Sequence, residues 1–275
     1  MKFRRSERLI DMTDFLLKHP RQLIPLTVFA ERYSSAKSSI SEDLAIIKEV
    51  FEARGIGTLQ TIAGAAGGVK FQVEVNKEDA RLFIKELCEL MSNPERLLPG
   101  GYLYMTDILG NPSIVQKVGR MIASTYINTP IDVVMTVATK GIPIAYAVAN
   151  YLNVPVVIVR RDSLVTEGPT VSINYVSGSH KRIQTMLLSK KSLAEGSNVL
   201  IIDDFMKAGG TVNGMISMLE EFRANVAGIA VLVEAEKADE RLVDDYLSLI
   251  RLSDVDVKEK KINVSEGNYF NKRLC

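Results

Sequence analysis

Apolar residues recur every three or four positions in the first part of the chain. Further on they come at every second position or in unbroken runs. Leu9, Met12, Leu16 and Leu17 mark an amphipathic helix over residues 3–18. His19-Pro20 ends it, because a residue before proline is pushed out of the helical region. Pro25 opens a second helix that carries Leu26, Phe29 and Ala30 and stops near Tyr33-Ser34. A third helix has Leu44, Ile47, Val50 and Phe51 as its buried stripe. Ser39 and Glu42 fit a capping box at its start, with Ser35 and Ser38 as alternative caps, and Gly55 suits a left-handed end. The period then changes from helical to alternating. Residues 58–62 and 69–73 read as strands around a small-residue tip, Ala63 to Gly68.

Three helices followed by a hairpin is the order of a winged helix-turn-helix. Residues 76–92 read as a further helix, with Ala80, Phe83, Ile84, Leu87, Cys88 and Met91 on one side. Ser92-Asn93-Pro94 breaks it, and Leu98-Pro99-Gly100-Gly101 is a loop. The boundary falls near residue 75, which gives a first domain of residues 1–74 and a second of 75–275. From residue 112 the signals alternate. Residues 114–126, 141–152 and 211–222 read as helices, and residues 131–138, 154–159, 198–203 and 227–233 as strands. That alternation predicts an α/β domain with a mostly parallel sheet covered by helices on both faces. Residues 170–176 and 182–188 interrupt the rhythm as a hairpin excursion with a polar tip, Ser177 to Lys181.

Composition narrows the setting. No apolar run approaches the ~18–20 residues of a membrane span, and the charged N-terminus does not read as a secretory signal. Cys88 and Cys275, like His19 and His180, are too isolated for a disulfide framework or a metal site of their own, so a reducing cytoplasm is the expected home. The net charge is only +1, and residues 1–74 hold 11 Lys and Arg against 9 Asp and Glu. Clusters matter more than the total. Lys2, Arg4, Arg5 and Arg8 crowd the first helix, and Arg160, Arg161, Lys181, Arg182, Lys190 and Lys191 outnumber Asp162 and Glu167. Lys37, Ser38 and Ser39 sit in a hydroxyl-rich stretch at the start of the third helix, where such side chains suit phosphate and base-edge contacts in a major groove. With Arg4 and Arg5 they are the candidate DNA contacts. A winged helix used only for dimerisation is the alternative.

The most informative stretch is Val199 to Thr211, VLIIDDFMKAGGT. A buried strand delivers Asp203 and Asp204 to its carboxyl end, where ligands bind in open α/β sheets. Phe205 to Gly210 forms the turn, with Gly209 and Gly210 allowing close backbone approach. Thr211 opens a helix whose free N–H groups make a phosphate site. Two carboxylates beside such a site suit the 2′ and 3′ hydroxyls of a ribose. Neither G-x-x-x-x-G-K-[ST] nor G-x-G-x-x-G is present.

This segment resembles the binding motif for 5-phosphoribosyl-1-pyrophosphate (PRPP) in type I phosphoribosyltransferases. Once it is aligned so, Thr139-Lys140-Gly141 resembles that family's pyrophosphate loop, and residues 160–191 its flexible loop. A winged helix joined to such a phosphoribosyltransferase-like domain is similar to the purine operon repressors of Gram-positive bacteria. That resemblance implies a homodimer that binds a double-stranded operator, controls purine synthesis genes and takes PRPP as its inducing effector. Carried over by motif, Asp203 and Asp204 would bind ribose hydroxyls. Lys207, Ala208, Gly209, Gly210 and Thr211 would cradle the 5′-phosphate, and Thr139, Lys140 and Gly141 would face the pyrophosphate. Magnesium would be held mainly by ligand and water. Tyr102, Tyr104 and Phe205 are candidates to stack on the ribose or a base, and equally ordinary core. Guanosine tetraphosphate, with phosphates at both ends of a ribose, is expected to compete for the same cleft. Two function classes stay open at this point. One is a sensor without a catalytic set. The other is an active purine phosphoribosyltransferase with an accessory winged helix, for which residues 264–275 would supply a lid.

Overall fold

A computed structural model describes residues 3–64, 66–162, 166, 168–176, 183–236 and 241–272. The chain divides into two compact units, one of residues 1–77 with residues 150–153 and the other of residues 78–149 and 154–275.

The first unit holds α1 (Arg5–Lys18), α2 (Leu26–Tyr33), α3 (Lys37–Ala53), β1 (Gly57–Ile62) and β2 (Gly68–Val73). β1 and β2 pair antiparallel, and Ile24 adds a bridge to Val69 that closes the wing back onto the start of α2. Met12, Leu16, Phe29, Tyr33, Ile40, Leu44, Ile47, Phe51, Leu59, Val69 and Phe71 make one core. Two of the expected stripe residues lie outside it. Leu17 is 43% exposed and Val50 49% exposed, each one position round its helix from the buried face. α3 also begins earlier than the capping pattern suggests. Ser34 takes a left-handed conformation (φ 47°) after α2, and this tight turn brings Ala36 to the cap position, with no side chain bonding the first-turn N–H groups. Ser35 precedes the helix, and Ser38 and Ser39 lie within its first turn. The far end follows expectation. Gly55 has φ 60°, its N–H donates to Glu52 O, and Ile56 N–H donates to Phe51 O at 2.8 Å. Ala65 at the wing tip lies outside the described residues.

The second unit begins with α4 (Lys77–Met91), a 3₁₀ turn (Pro94–Arg96), β3 (Leu97–Leu98) and β4 (Tyr102–Leu103), α5 (Thr106–Leu109) and α6 (Pro112–Thr125). Then come β5 (Val133–Val137), α7 (Ile142–Leu152), β6 (Val156–Val159), β7 (Thr170–Val176), β8 (Ile183–Ser189) and β9 (Asn198–Met206). α8 (Gly210–Glu221), β10 (Asn225–Ala235), β11 (Leu247–Asp256), β12 (Lys261–Glu266) and α9 (Tyr269–Lys272) complete it. The main sheet has the order β12-β11-β10-β9-β5-β6, and all its pairs are parallel except β11 with β12. All of β5 is buried, as a central parallel strand requires. α6 and α7 pack closely because Gly119 carries no Cβ, which would stand 2.5 Å from that of Ala147.

Two features differ from the sequence reading. β9 runs on to Met206, past both aspartates, because β10 continues to pair Phe205 and Met206 with Val233 and Glu234. The turn therefore shortens to residues 207–209, and α8 starts at Gly210. β11 and β12 extend the sheet where no strands were expected. Val264 to Glu266, read as part of a lid, belong to edge strand β12, and Tyr269 beyond it is fully buried. The hairpin excursion follows expectation, as a separate antiparallel sheet of β7 and β8 packed on α8. There Gly214 makes room, since a Cβ would stand 3.0 Å from Tyr175 and 3.1 Å from Met186. Its tip, residues 177–182, lies outside the described residues.

Candidate functional site

In the first unit, Lys37 and Ser38 are exposed on the first turn of α3, with Ser39 half-buried beside them. The uncapped N–H groups there, together with the helix dipole, form a surface that suits phosphate. Arg4 is exposed just before α1, where its N–H donates to Glu7 Oε2 at 2.8 Å. Arg5, the other candidate DNA contact at the start of this helix, is exposed and also pairs with α3. Its Nε donates to Asp43 Oδ1 at 2.9 Å, and it lies 3.7 Å from Glu42. Arg8 adds two bonds to Asp43 Oδ2, at 2.9 and 2.7 Å. Asp43 is fully buried, so these arginines fasten α1 to α3.

In the second unit the carboxyl ends of β5 and β9 bring two separate stretches of sequence together. Asp203 is 4% exposed, and its Oδ1 accepts from Asp204 N–H at 3.0 Å. Burial first, and the Asp204 carboxylate second, hold the Asp203 carboxyl well above the usual carboxylate range, while the Arg161 charge pulls the other way. Burial also raises Asp204, with Lys140 opposing. Thr139, Lys140 and Gly141 form the loop between β5 and α7, and the Ala138–Thr139 peptide is cis. Gly141 lies on the floor of the site. A Cβ there would stand 2.2 Å from Thr136 Oγ1 and 3.5 Å from Asp203 Oδ1. Thr136 Oγ1 is itself buried and has no hydrogen-bond partner among the described residues.

A cleft of about 470 Å³ opens beside this floor, lined by Tyr102, Lys140, Asp204, Phe205 and Lys207 among others. Tyr102 is 54% exposed, whereas Phe205 is half-buried. A smaller cavity of about 30 Å³ adjoins it, lined by Asp203 and residues 205–212, so Ala208, Gly209, Gly210 and Thr211 share one concavity. Gly209 has φ 84° and occupies the cap position of α8, which has no side-chain cap. The chain thus presents a helix start, two carboxylates and two lysines around two adjoining cavities. That set can hold an anionic phosphate and read vicinal hydroxyls.

Several lining residues escape a sequence reading. The Gly100–Gly101 tip of the β3–β4 hairpin and residues 252–255 also line the cleft. The latter sit at a register shift between Leu252 and Asp254 that no periodicity announces. Tyr104 is 44% exposed and does not line the larger cleft. The basic cluster at 160–191 divides. Arg161 acts on Asp203, Lys190 and Lys191 are exposed at the base of the β7–β8 hairpin, and Lys181 and Arg182 lie outside the described residues.

Fold and site together define a helix-turn-helix DNA-reading unit followed by a domain of the type I phosphoribosyltransferase class. Comparison with known proteins agrees. Residues 4–73 match the family "Bacterial purine repressor, N-terminal", and residues 105–267 match "Phosphoribosyl transferase domain". The chain is 66% identical, over 98% of its length and 95% of the relative's, to the purine biosynthesis transcriptional repressor PurR of Bacillus subtilis. It is 50% identical, over 98% of its length and 99% of the relative's, to the purine biosynthesis transcriptional activator PurR of Lactococcus lactis. Adenine phosphoribosyltransferase from Thermoanaerobacter pseudethanolicus shares the fold (TM-score 0.52, 22% identity, 60% of this chain and 98% of that one). The chain belongs to the PurR family of purine biosynthesis transcriptional regulators.

Proposed function

We propose that the chain represses purine synthesis genes as a DNA-binding homodimer, and that PRPP lowers its affinity for the operator. The observation that carries this is that Lys140 and Asp204 line one cavity, and Asp203 and the α8 start an adjoining one, with Phe205 and Lys207 shared between them and Gly141 on the floor beside Asp203. Each part answers one part of PRPP: the loop its pyrophosphate, the carboxylates its 2′ and 3′ hydroxyls, and residues 207–211 its 5′-phosphate. Binding alone gives such a site a purpose when a DNA reader precedes it, so transfer to a base is not part of the proposal. Repression rather than activation follows the relative at 66% identity. Magnesium would travel with the effector.

An effector shifts an equilibrium only by its differential affinity for two states. PRPP titrated into the protein on a duplex from its own purine-gene upstream region is therefore expected to release the DNA. Guanosine tetraphosphate is expected to raise the PRPP concentration needed without releasing DNA itself, because two polyanions cannot share one cleft. DNA affinity that ignores PRPP at millimolar concentration refutes the sensor, and binding of the tetraphosphate that leaves PRPP affinity unchanged refutes the shared site.

The DNA contact has its own test. Lys37→Ala is expected to weaken operator binding and to lower the slope of log K against log salt by about one unit, the signature of one lost phosphate contact. An unchanged slope would move the contact surface to Arg4 or the wing.

A further inference from the structure

A second acidic centre lies behind the phosphate loop, and the effector site makes no direct use of it. Glu234 stands on β10 in parallel register with Met206 of β9 and Arg251 of β11. It is 1% exposed, and both its oxygens are engaged. Oε1 accepts from Ser248 Oγ at 2.8 Å and Arg251 Nε at 3.1 Å, and Oε2 accepts from Arg241 Nη1 at 2.9 Å and from the Tyr246 hydroxyl. Arg241 also donates from Nη2 to Ala235 O at 2.8 Å, and Asn268 Nδ2 donates to Tyr246 O at 2.8 Å. Residues 241–246 are therefore clamped at both ends, and the clamp converges on one buried carboxylate.

Between the two ends this segment meets the phosphate loop twice. Leu242 N–H donates to Ala208 O at 2.9 Å. Val243 abuts Gly209, where a Cβ would stand 3.2 Å from its Cγ2. The first contact fixes a peptide plane. In a trans peptide the carbonyl and the N–H point in opposite directions. With the Ala208 carbonyl turned to Leu242, the Gly209 N–H is turned away from it. The next carbonyl is fixed as well, because Gly209 O accepts from Asn213 N–H at 2.8 Å.

We propose that residues 241–246, clamped on Glu234, set the orientation of the Gly209 amide and thereby the affinity for a phosphate monoester. Glu234 and Arg241 are positioning residues that touch no ligand. Their role depends on residues 207–211 holding the 5′-phosphate, as proposed above.

The test compares two ligands on the full chain. Ribose 5-phosphate reports on the phosphate loop and the acidic pair, and inorganic pyrophosphate on the loop at residues 139–141. By calorimetry, Arg241→Met is expected to weaken ribose 5-phosphate about tenfold, the scale of one lost hydrogen bond. Arg241→Lys should weaken it less, and pyrophosphate affinity should stay within about twofold of the unsubstituted chain. Amide exchange at Leu242 should accelerate in Arg241→Met and in Glu234→Gln, the second variant that releases the clamp. Ribose 5-phosphate affinity unchanged while Leu242 exchange accelerates would overturn the proposal. So would equal losses for both ligands, which mean general loosening, or an unaltered Leu242 amide in both variants. If the unsubstituted chain binds pyrophosphate but not ribose 5-phosphate, the phosphate cradle itself is refuted, and the positioning role falls with it.

Discussion

Asp203→Asn is expected to make the second unit more stable while abolishing its response to PRPP. The carboxyl is 4% exposed and lies against Asp204, and both facts penalise its charge. Its folded pKa lies above its unfolded value, so the folded state holds the proton to higher pH. The resulting destabilisation is absent below the unfolded value near pH 4 and grows as pH rises toward the folded value. Asparagine keeps an oxygen for the Asp204 N–H and removes the charge. A gain of roughly 0.5–2 kcal/mol near neutral pH is expected, the usual scale when a functional-site residue is replaced by a structurally better one. Thermal unfolding followed from pH 4 to pH 8 should rise relative to the unsubstituted chain, with the gap widening toward pH 8. The lost carboxylate removes the strong acceptor for a ribose hydroxyl, so PRPP should no longer release DNA, although DNA affinity without effector should be unchanged. A variant that is less stable at pH 8, or that still responds to PRPP at the original concentration, would remove Asp203 from the site.

Arg8→Met is expected to destabilise the first unit by about 3 kcal/mol, within the range for breaking a buried ion pair from one side. Arg8 supplies two of the three hydrogen bonds that arginines donate to Asp43, and it is only 14% exposed, against 54% for Arg5. Methionine keeps much of the apolar stem, so the loss reports the charge pair rather than a cavity. The companion variant Arg8→Met with Asp43→Leu should recover most of the stability, because an apolar pair can replace a buried ionic one at little cost. Urea unfolding of the full chain, read on the transition of residues 1–77, separates these outcomes. A loss below about 1 kcal/mol for the single variant, or no recovery in the double, would make the pair a surface contact.

Much of this was legible along the chain. Helical spacing placed α1 to α4, and the alternation of Val69, Phe71 and Val73 placed the wing. The two aspartates before Gly209-Gly210 marked the cleft at the ends of β5 and β9, because adjacent carboxylates at the end of a buried strand have no use in a core. What stayed hidden depends on residues distant in sequence. β9 could not be followed past Asp203, since the paired aspartates read as a strand end and only pairing with β10 keeps Phe205 and Met206 extended. Ser248, buried against Glu234, disguised the start of β11. The roles of Thr136 under Gly141 and of Leu242 behind Ala208 belong to the tertiary structure and leave no mark on local periodicity.

The order of the two units along the chain has a consequence for synthesis. The helices and hairpin of the DNA-reading unit have all been made by residue 77, and helices and a short hairpin fold quickly. The effector cleft draws on Tyr102, Lys140, Asp204 and residues 252–255, and its sheet closes only with β12, at Glu266. At translation rates of about 5–20 residues per second, roughly 10–40 s separate the two events. On the function proposed above, a ribosome during that interval carries a reader that has no means yet of being told to let go.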